Sequence, residues 1–186
     1  MPRYDVPKAA PEPLRLVQRF VNTVDREHER EWLGSPAELE AWLRENGLVA
    51  GRPNARLLRR AHDLREALRE LLVANNHGIA PPADAVATVN AIAAAGRLAP
   101  RLREDGLLSL SEPAGRSPPA PLARIVGVAF EAMLEGNWSR LKACRNCRWA
   151  FYDYSRNRAA TWCSMTLCGS RLKARSYRRR ARSPRP

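Results

Sequence analysis

The sequence predicts a mainly α-helical protein: a helical N-terminal domain with one short β-hairpin, then a small C-terminal module of a different kind. Three observations predict this. Apolar residues recur at spacings of three and four through most of residues 13–134. Cys144, Cys147, Cys163 and Cys168 are the chain's four cysteines, and all fall in one 25-residue window, spaced C-x2-C-x15-C-x4-C. The net charge of +13 lies wholly beyond Gly136. Residues 1–136 hold 18 Lys/Arg and 18 Asp/Glu, whereas residues 137–186 hold 14 Lys/Arg and one acid, Asp153.

The elements follow in order. Met1–Pro13 is expected as a flexible lead. Leu14, Val17, Phe20, Val21 and Val24 place a first helix over residues 13–25, and Asp25–Glu31 follows as a loop. Ser35-Pro36-Ala37-Glu38 starts a second helix, with a capping serine, a proline in the first turn and a glutamate for a capping box. Leu39, Trp42 and Leu43 are its apolar face, and Gly47 ends it. Pro53–Asn75 carries the longest helical pattern. Leu57, Ala61, Leu64, Leu68 and Leu71 form its stripe, widened by Leu58 and Leu72. Pro81-Pro82 opens an alanine-rich helix over residues 83–95, ended by Gly96. Leu98, Leu102, Leu107, Leu108 and Leu110 flank Asp105-Gly106, which predicts a short hairpin. From Pro121, Leu122, Ile125, Val126, Ala129, Phe130, Met133 and Leu134 form a last amphipathic helix. Gly136-Asn137 marks the boundary, giving a helical domain over 1–136, a module over 137–182 and a tail over 183–186.

Two close cysteine pairs separated by a hairpin-length stretch can bring four thiolates to one tetrahedral ion. Cys144-Arg145-Asn146-Cys147 is a knuckle, Trp149–Tyr154 an aromatic strand-like run, and Ser155–Arg158 a turn. Ser164 caps a helix whose first turns carry Cys168. Knuckle, hairpin and helix make a treble-clef-like zinc finger. All three histidines, His28, His62 and His77, lie upstream, so four cysteines make a closed site and the single zinc ion is structural. A redox dithiol at Cys144 and Cys147 would leave the second pair unexplained. Arg145, Arg148 and Arg171 lie near enough in sequence to offset the charge of the thiolates. Too few apolar residues lie in 138–180 for an independent core, so the metal supplies folding energy.

Beyond Cys168 the chain reads as a basic helix. Taking Arg171 as zero, Arg175, Arg178 and Arg182 fall within about 40° of it, and Arg179 about 80° away. Lys173 lies near the opposite side. Like charges at this spacing cost helix stability, and a phosphate backbone offsets that cost while releasing counterions. Arg171, Lys173, Arg175, Arg178, Arg179 and Arg182 are therefore the candidate nucleic-acid contacts.

Cys144-x-x-Cys147, Phe151-x-Asp153-x-Ser155, Trp162-Cys163-Ser164-Met165 and Cys168-Gly169-Ser170-Arg171 together resemble the CGNR zinc finger of bacterial proteins. Tyr177-Arg178 matches the end of that pattern. Phe20-Val21-Asn22-Thr23, Ser35-Pro36 and Leu39-x-x-Trp42-Leu43 resemble the ABATE domain that usually precedes this finger. The resemblance implies a stress-induced transcription regulator, with a helical domain ahead of a DNA-binding finger. Ser170 departs from the family's asparagine, and Thr161 stands where many relatives have a basic residue. Phe151 and Trp162 are expected to pack on the knuckle. Asp153 is expected to orient an arginine or cap a turn. Asn22 and Thr23 are expected to serve helix-end hydrogen bonding.

The expected function is DNA-binding transcriptional regulation, with the helical domain sensing a small-molecule effector or forming a homodimer. The alternatives are an RNA- or ribosome-associated protein, in which Trp149, Tyr152 and Tyr154 stack on unpaired bases, and a zinc-dependent protein-interaction module. No nucleophile–base pair, phosphate loop or informative carboxylate pair is seen in residues 1–136, so no enzymatic activity is expected. No apolar run approaches the roughly 18 residues of a membrane span, and no signal-peptide core is seen. A cytoplasmic, nucleoid-associated protein is expected.

Overall fold

The structure is a computed structural model, and it describes residues 8–48, 51–106, 108–111 and 120–170. Five helices are described: α1 (Arg15–Val21), α2 (Pro36–Glu45), α3 (Ala55–His77), α4 (Ala83–Ala95) and α5 (Ala120–Leu134). Three antiparallel two-stranded ladders join them. They are β1 (Val24–Asp25) with β2 (Arg30–Glu31), β3 (Ala99–Leu102) with β4 (Leu108–Ser111), and β5 (Leu141–Ala143) with β6 (Ala150–Tyr152).

The first helix is shorter than its periodicity suggests. It stops at Val21 because Val24 and Asp25 pair with Glu31 and Arg30, which turns the expected loop into a miniature hairpin. Asp25 fastens that hairpin: its carboxylate accepts from the amides of Glu27 and His28 and meets His28 Nδ1 at 2.8 Å.

The second helix begins at the expected cap. Ser35 Oγ accepts from the Glu38 amide at 3.3 Å and donates to Glu38 Oε2 at 2.9 Å. The glutamate thus meets the cap's hydroxyl, whereas in a capping box it would reach the cap's amide.

The spine is α3. Asn54 caps its start, accepting from the Leu57 amide at 2.9 Å, and Gly78 closes it in the left-handed conformation at φ 65°. Leu57, Ala61, Leu64, Leu68, Leu71 and Leu72 are buried along one face, as the stripe predicts. The spine packs against α1, α2, α4 and β5, so one helix touches both parts of the chain. Gly96 earns its place by contact as well as by ending α4. A Cβ there would lie 2.1 Å from the Ala123 Cβ of α5, so only glycine lets these helices approach.

The β3–β4 hairpin lies where the leucines and Asp105-Gly106 place it, but β3 is exposed throughout. Pro100 within β3 lacks an N–H, which blunts this edge against further pairing. In α5 the apolar face buries Leu122, Ile125, Val126 and Ala129, while Met133 and Leu134 at its end are exposed.

One core runs through the described residues. Phe20, Leu43, Leu68, Leu72 and Ile125 share it with Leu141, Ala143, Ala150 and Tyr152 of the last hairpin. A second, smaller cluster gathers the four cysteines with Trp149 and Phe151, flanked by Trp32 and Trp162. The C-terminal hairpin thus lends one face to the helices and the other to the cysteines.

Candidate metal centre

Cys144 and Cys147 lie on the knuckle between β5 and β6. Its turn is closed by Arg148 N donating to Cys144 O at 3.0 Å and Cys144 N donating to Trp149 O at 2.9 Å. Arg148 adopts φ 62°, a left-handed conformation that costs a non-glycine residue something and lets the knuckle bend. Cys163 arrives on the returning chain. Cys168 lies in a five-residue π-helical turn, Met165–Gly169, capped by Ser164, whose Oγ accepts from the Leu167 amide at 3.3 Å.

All four sulfurs lie within 4.8 Å of one another and all four residues are buried. The Sγ atoms of Cys147, Cys163 and Cys168 form a triangle of 3.6 Å edges. That is too long for a disulfide bond. It is close to the roughly 3.8 Å edge of a tetrahedron whose sulfurs each lie about 2.3 Å from a central zinc ion. Donor type, number and spacing therefore fit one zinc ion.

The protonation of the thiols points the same way. Cys144 is held far below the usual thiol range, first by the Cys147 and Cys163 side chains and then, against burial, by their backbone amides. Cys147 and Cys163 are pushed well above it, first by Cys144 and further by burial. Without a cation the buried cluster thus favours one thiolate over several, and a divalent ion would take the place of the remaining protons. Asn146 Nδ2 donates to Cys168 Sγ at 3.6 Å. Arg145 and Arg148, near enough in sequence to offset the thiolate charge, have partners elsewhere. Arg145 Nη2 donates to Asn76 O at 2.7 Å, and Arg148 Nη1 lies 3.9 Å from Glu70.

Phe151 is fully buried in the cysteine cluster and Trp162 packs at its margin, as expected. Of the aromatics that would stack on unpaired bases, Trp149 and Tyr152 are buried, and only Tyr154 is exposed. Asp153 is fully buried. Its partner is Lys142 of β5, at 2.8 Å, and not an arginine; it also caps a turn, accepting from the amides of Ser155 and Ala160 at 2.9 Å each.

Sequence reasoning missed the side chains that hold the finger in place. Asn22 ends α1 as expected, and its amide group also grips Ala150 of β6 like a neighbouring strand. Ala150 N donates to Asn22 Oδ1 at 2.7 Å, and Asn22 Nδ2 donates to Ala150 O at 2.9 Å. Gln18 Nε2 donates to the same carbonyl at 3.1 Å. At the far end of α3, Asn76 Nδ2 donates to Ala143 O and Thr161 O, and Asn75 Nδ2 to Trp138 O and Leu141 O. Arg69, almost fully buried, donates to Val21 O and to Arg148 O, with Glu66 as its counter-ion. Thr23 keeps the expected helix-end role, its hydroxyl donating to Phe20 O at 2.8 Å. The available signal was amides and an arginine on helices otherwise patterned for burial.

Arg171, Lys173, Arg175, Arg178, Arg179 and Arg182 lie outside the described residues, as does the predicted basic helix. Among the described residues no helix is long and apolar enough to cross a membrane. In the helical part, a groove of 440 Å³ between α3 and α4 is lined by Asp63, Glu66, Glu70 and Asp84 with Arg60 and Thr88.

Residues 14–137 match the ABATE family model, described as "Putative stress-induced transcription regulator". Residues 140–181 match the model of the CGNR zinc finger. No curated protein matches the chain.

Proposed function

Since the chain belongs to the ABATE family, described as "Putative stress-induced transcription regulator", we propose that it binds DNA through its CGNR finger and the basic segment that follows. The observation that carries this reading is the charge distribution. Residues 137–186 hold 14 Lys/Arg against one acid, Asp153, and that acid is spent on a buried lysine. The finger and its C-terminal extension are therefore a cationic surface joined to a neutral helical body. Such asymmetry suits a polyanion.

In this reading the zinc ion has a structural part. Its four thiolates leave no open position for a substrate, so the metal takes no catalytic part. Arg171, Lys173, Arg175, Arg178, Arg179 and Arg182 supply phosphate contacts, and the helical domain senses an effector or joins two copies. Duplex DNA is favoured over unpaired RNA because two of the three aromatics available for stacking are buried.

Binding should weaken steeply with salt. About six phosphate contacts would lose on the order of 10³ in affinity between 50 and 200 mM salt. Selection of bound fragments from random duplex DNA, using zinc-loaded protein and its Arg175→Glu/Arg178→Glu variant, tests the reading. Enrichment of one motif, lost in the variant, is expected. Salt-indifferent binding, or binding unaltered when the four cysteines are replaced by serine, would reject it. Preference for structured RNA in competition would favour the alternative.

A further inference from the structure

Beyond β6 the chain makes an exposed loop, residues 154–159, before returning to Cys163. It contains Arg156 and Arg158, and Arg140, just ahead of β5, reaches into it. Arg140 Nη1 donates to Asp153 O at 2.9 Å and to Ser155 O at 3.0 Å. Arg158 Nη1 donates to Ser139 Oγ at 2.8 Å. Arg156 has no partner among the described residues. Every acceptor that these three guanidiniums meet is neutral, and no described carboxylate pairs with any of them. The acid nearest in sequence to Arg156 and Arg158, Asp153, is fully buried and committed to Lys142.

The loop is also rigidly built. Asp153 accepts from the amides of Ser155 and Ala160, Ser155 Oγ accepts from the Ala159 amide at 3.0 Å, and Ser155 O accepts from the Arg158 amide at 3.2 Å. Lys142 Nζ, besides pairing with Asp153, donates to Arg158 O and Ala160 O. A buried ion pair thus fixes a surface loop from beneath while three cations on and beside it stay uncompensated. A solvated loop has no need of that support. A pre-formed anion site does, because ordering the loop beforehand lowers what binding must cost.

We propose that Arg140, Arg156 and Arg158 form a phosphate-binding patch that holds the backbone of the same DNA duplex engaged by the basic C-terminal segment. The inference rests on the DNA-binding reading above and adds a second point of contact to it. The patch lies at the end of the β5–β6 ladder away from the cysteines. The finger then grips the backbone at two places, which fixes its orientation on the duplex as well as its affinity.

The test measures binding of full-length, zinc-loaded protein to a labelled mixed-sequence DNA duplex across a salt series. Arg156→Gln is the decisive variant, since no described residue depends on its guanidinium. The slope of log affinity against log salt should shrink by about 0.9 for that one contact, with zinc content and thermal unfolding unchanged. Arg156→Gln/Arg158→Gln should lose about twice as much. Steep, salt-dependent binding by wild type that Arg156→Gln leaves unaltered overturns this inference and leaves the DNA-binding reading standing. A wild-type protein with no salt-dependent binding overturns both. If Arg158→Gln disturbs zinc content, Arg156→Gln alone decides.

Discussion

Burial alone would push the Asp153 carboxyl upward, yet Lys142 and Ser155 hold it down, to about 2. A folded-state value below the ordinary 3.8 means that Asp153 stabilises the fold above that pH, and that its contribution is lost as pH falls from 3.8 to about 2. Asp153→Asn should therefore destabilise the protein at neutral pH by roughly 3–5 kcal/mol, because it strands a buried ammonium. Chemical denaturation of zinc-loaded protein would show this, and Lys142→Met added to Asp153→Asn should recover part of the loss. Asn22→Ala removes both bonds to Ala150 and should cost about 1–3 kcal/mol, read in the same experiment. These roles were half legible. A lone acid among 14 bases announces a pairing, but the choice of Lys142 over any arginine depends on which face of β5 points inward. Asn22 read as a helix end, which it is. Its grip on Ala150, 128 positions away in sequence, has no local signature.

At the scale of elements, α3 decides the architecture. Its stripe and the alanine-rich helix after it were readable, because helical periodicity is a local property. The β1–β2 ladder was not readable, since two paired residues carry too little pattern. Nor was the close approach at Gly96, which depends on Ala123 of another helix. The last turns of α3 hold the finger through Asn75 and Asn76, so metal removal should be felt there. Chelation should raise amide hydrogen exchange in residues 72–77 more than in residues 57–62. Equal exchange at both ends would show that the metal is not coupled to the spine. Gly96→Ala should destabilise the α4–α5 contact and lower the thermal midpoint, by about 2–4 °C for each kcal/mol lost in a cooperative unit of this size.

For the molecule as a whole, the spacing of the cysteines was the most legible feature, and it led to a centre whose sulfurs are already arranged for one zinc ion. The way the finger is shared was not legible. The sequence suggests a module short of apolar residues that relies on its ion. The structure adds a second source of order, because Leu141, Ala143, Ala150 and Tyr152 lie in the same core as Phe20, Leu68 and Ile125. Helices and finger should accordingly unfold together. Thermal melting followed by far-ultraviolet circular dichroism should show one transition with zinc and a lower one after chelation or Cys144→Ser. A helical transition unmoved by chelator would contradict the shared core.

The amide clamps of Asn22, Asn75 and Asn76 carry a consequence for protein engineering. Zinc fingers are commonly thought of as portable cassettes, moved between proteins to transfer a specificity. This one would travel badly. Grafted onto another host, its main-chain carbonyls would lose the donors that now satisfy them, and a greasy strip of hairpin would face water. A transplant would have to bring along the ends of two foreign helices, so new specificities are better sought by altering the finger where it stands.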